Sequence, residues 1–268
     1  MKESRGQQLK EPYILRISAQ KGGVGKTTIA VNLAVELRLR GYSVLLADAD
    51  SSNPAVGMHL GMESAAVGFT DLLNGKAKLR NIVIIHPPSG LAVISNHISK
   101  PSFFMTEKQV EQGYKELTNS DYDIVIVDTQ PGYFPDIVAK NIDDTLIITN
   151  PDMPSYTSAL RLSEYFNSLK LKHSLVVNRI SGRKYEISNR ELKDTYDGQI
   201  CIFVPEDEIV PVSIAAKIPA CIMNPKAKFS RSVFHLADFV EASAGLQRTN
   251  QPDYSKPIKR KRFFKFKG

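Results

Sequence analysis

The chain has 268 residues, 42% of them apolar, and 35 Lys and Arg against 28 Asp and Glu give a formal net charge of +7. Seven of the cations fall within residues 255–268, which contain no acid, so the first 254 residues balance at 28 basic against 28 acidic. So neutral a body argues against a protein that coats nucleic acid with its whole surface, and two cysteines outside any CxxC pair argue against a disulfide scaffold.

Met1 to Pro12 is polar and charged, with no apolar stretch suited to a secretory signal, and no apolar run approaches the roughly 20 residues that span a bilayer. The expected location is the cytoplasm, or the cytoplasmic face of a membrane. Tyr13–Ala19 is the first expected strand. After it stands Lys21-Gly22-Gly23-Val24-Gly25-Lys26-Thr27-Thr28, which opens a helix over Thr27–Arg40. Ile29, Ala30, Leu33, Ala34 and Leu37 share one face of that helix, and Gly41 stops it. A strand, a glycine-rich turn and a helix N-terminus make the layout that binds a polyphosphate. The glycines let the backbone wrap closely, so that successive N–H groups and the helix dipole face the anion. In such a layout Lys26 reaches the β- and γ-phosphates and the Thr27 hydroxyl ligates Mg²⁺. The usual pattern has Gly six positions before the Lys; here Gln20 stands there, followed by a second lysine, Lys21.

Further strands are expected at Ser43–Ala47, Leu91–Ser95, Ile124–Val127, Thr145–Thr149, Ser174–Val177 and Ile200–Val204. Several are apolar throughout, as parallel strands covered on both faces are. Helical patterns lie at Tyr156–Leu169 and Lys226–Ala244, the second closed by Gly245. The alternation predicts an α/β fold, a single doubly wound, mostly parallel sheet with helices on both faces. Leu246–Pro257 is polar with two prolines and reads as a linker. The expected organisation is one domain over 1–246, then a linker and basic-aromatic tail over 247–268.

Lys-Gly-Gly-x-Gly-Lys-Thr-Thr resembles the deviant phosphate loop of the MinD/ParA family of ATPases, and Gln20 is compatible with that variant. The likeness continues through most of the chain. Asp48-Ala49-Asp50 with Asn53 and Pro54 resembles the family's first switch, and Asp128-Thr129-Gln130-Pro131-Gly132 its second. Thr149-Asn150-Pro151 resembles its Thr-Asn-Pro, Val177-Asn178-Arg179 its adenine-side segment, and Pro205-Glu206-Asp207 the Pro-Glu-Asp that follows. Residues 13 to 244 are covered, and the MinD branch fits better than ParA.

The resemblance implies ATP and Mg²⁺ as cofactors, with Gly22, Gly23, Val24, Gly25, Lys26, Thr27 and Thr28 around the phosphates. Asn178, Pro205 and Glu206 are then expected at the nucleotide's base side. An Asn amide both donates and accepts, as an adenine edge requires, although an Asn ending a strand is also a common turn residue. Asp128, at the C-terminal end of an apolar strand, is placed to hold Mg²⁺ through water, and Gly132 lets its loop respond to the γ-phosphate. Asp50 is the expected activator of the attacking water, with Asp48 supporting the loop and the metal; alternatively one of the two simply caps the turn. Lys21 is implied to cross an ATP-dependent homodimer and touch the partner's phosphates, acting as an arginine finger does.

His59, His86, His97, His173 and His235 have no metal-ligand spacing, and the second switch carries no cysteine, so no iron–sulfur cluster is expected. Ser255–Gly268 interleaves its cations with Ile258, Phe263, Phe264 and Phe266. It resembles the amphipathic C-terminal element with which MinD proteins lie on anionic membrane. On a helix its four apolar side chains spread over roughly 240°. The expected function is an ATP-dependent positioning switch on a membrane, answering to an activating protein partner. Two alternatives stay open: a ParA-like DNA-partition ATPase, whose tail grips nucleic acid, and an ATP-dependent assembly factor for another protein.

Overall fold

The structure is a computed structural model and describes residues 11–62, 67–97, 106–132 and 141–247. Through these runs an eight-stranded sheet of order β3-β4-β2-β5-β1-β6-β7-β8. The strands are β1 Tyr13–Ser18, β2 Val44–Ala49, β3 Ile84–His86, β4 Leu91–Ile94, β5 Ile124–Thr129, β6 Asp144–Thr149, β7 His173–Ile180 and β8 Gln199–Pro205. All neighbours are parallel except β3, which pairs antiparallel with β4 at the edge. The seven expected strands are present, each shifted at its ends by a few residues at most. β3 escaped the sequence reading because its three residues continue the apolar run Ile82–Ile85, whose first residue closes a helix. Pro87-Pro88-Ser89-Gly90 then turns the chain straight into β4.

Helices cover both faces. On one lie α1 (Lys26–Leu39) and, later in the chain, α10 (Lys228–Ser243), which packs on α1 and β8. Leu15, Ile17, Leu46, Ile126 and Leu146 point to this face and meet Ile29, Leu33, Leu37, Phe229, Val233 and Leu236. Alternate residues Ile14, Leu45, Val125 and Val127 point the other way, against α3 (Phe69–Leu73) and α5 (Glu107–Thr118). The same face farther along is closed by α6 (Met153–Ser168) and α7 (Asn189–Thr195) over β6 and β7. Short helices α2 (Val56–Leu60), α4 (Leu79–Ile82), α8 (Ile209–Ala215) and α9 (Ala220–Met223) complete the described part.

The sequence showed α1 as a helix with one apolar face, yet it is buried almost all round, including Asn32 and Glu36. Clamped between sheet and α10, it needs partners for its polar groups. Asn32 Nδ2 donates to Thr28 O at 2.9 Å, and Asn32 Oδ1 accepts from Cys221 N at 3.1 Å. Glu36 accepts from Arg40 Nε at 2.8 Å. Arg40, only 3% exposed, also reaches Asp238 at 2.8 Å, Glu241 at 2.7 Å and the Phe234 carbonyl at 2.7 Å. The end of the helix that follows the phosphate loop is thereby fastened to α10.

Both cysteines are free thiols, as expected. Burial pushes the Cys201 thiol up to about 12 and the Cys221 thiol higher still. No helix among the described residues is long and apolar enough to cross a membrane. The linker and tail expected beyond Gln247 lie outside the described residues.

Candidate functional site

The C-terminal ends of β1, β2 and β5 converge where the strand order turns back, the place where open α/β sheets bind ligands. The phosphate loop leaves β1 here. Gly23 and Gly25 have φ of +78° and +99°, values L side chains rarely adopt. At Gly25 space is closed as well, since a Cβ would lie 2.3 Å from Asn178 Nδ2. That amide donates to the Val24 carbonyl at 2.8 Å and is 4% exposed. Asn178, expected on the adenine side, thus also holds the phosphate loop through this bond.

Lys26 is buried at the first turn of α1, and its charge acts on Asp128. Thr27 Oγ1 donates to Asp128 Oδ2 at 2.6 Å. Burial pushes the Asp128 carboxyl up to about 7, opposed by the Thr27 hydrogen bond and by Lys26, and reinforced by Asp50. Its other oxygen, Oδ1, is buried without a hydrogen-bond partner among the described residues. These residues fit Mg²⁺. A hydroxyl that has given its proton to Asp128 keeps lone pairs for a hard cation, and the unpaired Oδ1 suits a cation-bound water. No cluster of three or more His, Cys, Asp and Glu that could hold a metal ion lies among the described residues.

Asp48 pairs in register with Asp128 across β2 and β5, but its oxygens are spent differently. Oδ1 accepts from Asp50 N at 3.2 Å, and Oδ2 from Ala55 N at 3.0 Å and Val56 N at 3.1 Å. Burial and the neighbouring Asp128 push its pKa well above the ordinary carboxylate value, while the backbone donors pull the other way. Asp48 was expected to support the loop and the metal; these hydrogen bonds are its loop contacts, made where the backbone of residues 50–56 curls over it. Asp50 caps the turn with Oδ1, which accepts from Ser52 N, Ser52 Oγ and Asn53 N. Its Oδ2 accepts no hydrogen bond among the described residues.

The second switch packs on the phosphate loop, with Gly132 N donating to Ala19 O at 2.9 Å and Thr129 Oγ1 to Ile17 O at 2.8 Å. Lys21 Nζ lies 3.9 Å from Asp152, the N-cap of α6. Pro205 and Glu206 end β8 beside β7, where Glu206 N donates to Ile180 O at 2.9 Å. A feature missed in the sequence runs along this edge. Ser18 Oγ, Gln20 Oε1, Ser95 Oγ, Asn96 Nδ2, Asp128 Oδ1 and Asn150 Oδ1 are all buried without a hydrogen-bond partner among the described residues, and all sit at or just beyond the C-terminal ends of strands. Each alone looks like an ordinary polar residue; only the topology lines them up.

The family model of the AAA domain matches residues 13–176. The chain belongs to the MinD/ParA family of P-loop ATPases. An uncharacterized ATP-binding protein of Methanocaldococcus jannaschii is 27% identical over 83% of this chain and 85% of its own length. The septum site-determining protein MinD of Thermotoga maritima is 27% identical over 91% of this chain and 97% of its own. The solved MinD of Pyrococcus horikoshii, complexed with Mg-ADP, superposes with a TM-score of 0.78 at 23% identity, covering 87% of this chain and 98% of its own. The MinD/ParA family fold is therefore present nearly from end to end, with the glycine-rich loop and both aspartate-bearing strand ends where the motifs put them.

Proposed function

We propose that this protein hydrolyses ATP with Mg²⁺ inside an ATP-dependent homodimer, and that the cycle works as a spatial switch attached to anionic membrane through residues 255–268. The observation that carries the nucleotide reading is the Thr27–Asp128 pair beside Lys26, set in a row of buried polar atoms that lack partners. Unpaired buried groups are costly, and a polyphosphate with its cation and waters would satisfy them. Bound Mg²⁺ would supply charge neutralisation at the β- and γ-phosphates. Lys26 and the backbone from Gly22 to Thr28 then hold the phosphates, and Thr27 and Asp128 orient the cation. Asp50, with one oxygen fixed and the other available, aligns the attacking water. Pro205 and Glu206 flank the base, and Asn178 stands between base and loop. Lys21 leaves Asp152 to reach the second subunit's phosphates, so turnover is slow until the dimer forms and rises further with a protein partner. The tail's seven cations and three phenylalanines support the membrane part. Each cation is worth about 1 kcal/mol near an anionic surface, and two tails on one dimer add avidity.

The test is sedimentation with anionic vesicles, full-length protein against a chain ending at residue 254, each with ATP and with ADP. Pelleting should need both ATP and the tail. If nothing pellets in any condition, the membrane part fails and ATP-dependent DNA binding becomes the function to measure. Asp50→Ala should bind ATP and stay dimeric without turnover; normal turnover there would move water activation to another residue.

A further inference from the structure

α10 begins without a cap of its own. Its N-cap is Ala227, which has no side chain to accept from the first turn, and that turn carries no acid. The missing acceptor comes from 22 residues earlier, where Asp207 Oδ2 accepts from Phe229 N at 3.0 Å. The other oxygen of the same carboxylate, Oδ1, accepts from Ile209 N at 3.1 Å, in the first turn of α8, whose N-cap Glu208 makes no side-chain cap either. One carboxylate therefore serves two helix N-termini, where negative charge is also favoured by both dipoles. Asp207 directly follows Pro205 and Glu206, the turn assigned above to the base side of the nucleotide. The other end of α10 is gripped by Arg40, which closes the helix of the phosphate loop.

We propose that Asp207 is a positioning residue of the nucleotide site: it fixes the 205–206 turn against the N-termini of α8 and α10, and so sets the geometry that recognises the base. This rests on the nucleotide reading above. A site held to a fraction of an ångström discriminates only as well as its support is rigid. The Asp207 carboxylate supplies that support from two directions, and an amide at this position has only one oxygen to offer two donors. The same link carries base occupancy into α10, because the turn cannot settle without moving the acceptor of Phe229 N.

The experiment separates positioning from simple capping. Full-length wild type, Asp207→Ala and the double variant Asp207→Ala/Ala227→Ser are compared by urea midpoint and by calorimetric affinity for Mg-ADP and Mg-GDP. The serine gives α10 a cap of its own on a backbone already extended at φ −59°, ψ 152°. Asp207→Ala should lower the midpoint and reduce the preference for ADP over GDP about tenfold. The double variant should regain the midpoint and not the preference. In the wild type, Mg-ADP should slow amide exchange at Phe229 and Ser230, and in the double variant it should not. A double variant that discriminates ADP from GDP as the wild type does, or wild-type amides indifferent to ADP, overturns the proposal. Failure of the wild type to bind ADP at all would instead overturn the nucleotide reading on which it stands.

Discussion

The two ends of the sheet carry much the same kinds of polar residue and use them in opposite ways. At the N-terminal ends of the strands the acids are paired, Asp144 buried and Asp143 and Asp123 exposed. Asp144 meets Tyr13 at 3.0 Å and Lys172 at 2.8 Å, Asp143 accepts from Ile14 N, and Asp123 accepts from Ser43 N. At the C-terminal ends Ser18, Asp128 and Asn150 hold buried atoms without a hydrogen-bond partner among the described residues. Stability cannot explain the second arrangement, since each unsatisfied buried group costs about 1–3 kcal/mol. One end of the sheet is closed by its own side chains, and the other is the end to which the proposal above assigns the nucleotide.

That contrast can be broken most sharply at Lys26. Lys26→Ala should abolish ATP and ADP binding and leave the urea midpoint nearly unchanged; unaltered affinity in calorimetry would remove the phosphate-loop assignment. Arg40→Met should do the reverse. It strands Glu36 and Glu241 without their cation and should cost about 3–5 kcal/mol in urea unfolding, with nucleotide affinity retained in the folded fraction. Asp128→Asn keeps the shape of the site and removes the charged acceptor of Thr27. Turnover should fall about a hundredfold to a thousandfold, with a smaller change in stability. A loss of stability without loss of turnover would make Asp128 a paired acid of the ordinary kind.

The smallest effect concerns pH. His86, buried at the end of β3 with Nδ1 2.8 Å from Ser89 Oγ, is lowered by burial from 6.5 to about 4. The unfolded chain therefore binds this proton first. His86 stabilises the folded state fully above pH 6.5, and that contribution is lost as the pH falls toward 4, on the order of 2–3 kcal/mol in all. Comparing the melting temperature of wild type and His86→Gln between pH 7 and 4.5 checks it. Parallel slopes would show that His86 takes up its proton equally in the folded and unfolded states.

Much of this was legible in the chain. Parallel strands announce themselves as apolar runs, and the phosphate loop is a local motif whose glycines, lysine and threonine act on one another within eight residues. What stayed hidden depends on distant partners. Glu36 and Arg40 are four apart on one helix, but Asp238 and Glu241, which make their burial tolerable, come some 200 residues later. Asp48 and Asp50 look alike in sequence. Only the curl of residues 50–56 separates a carboxylate committed on both oxygens from one with an oxygen to spare. Asn178 was read as a base contact from the resemblance and its amide chemistry; its hydrogen bond to the Val24 carbonyl, beside the close approach of Gly25, joins residues 154 apart and leaves no local signal.

The two thiols also make the chain convenient to watch. Cys221 is enclosed beside α1, and Cys201 donates to the Leu175 carbonyl at 3.2 Å, so neither offers a thiolate near neutral pH. A maleimide dye added to the native protein would find almost nothing to react with. A single cysteine substituted into the tail would then take the label alone, and its colour or anisotropy would report any binding of the tail without the removal of a native cysteine.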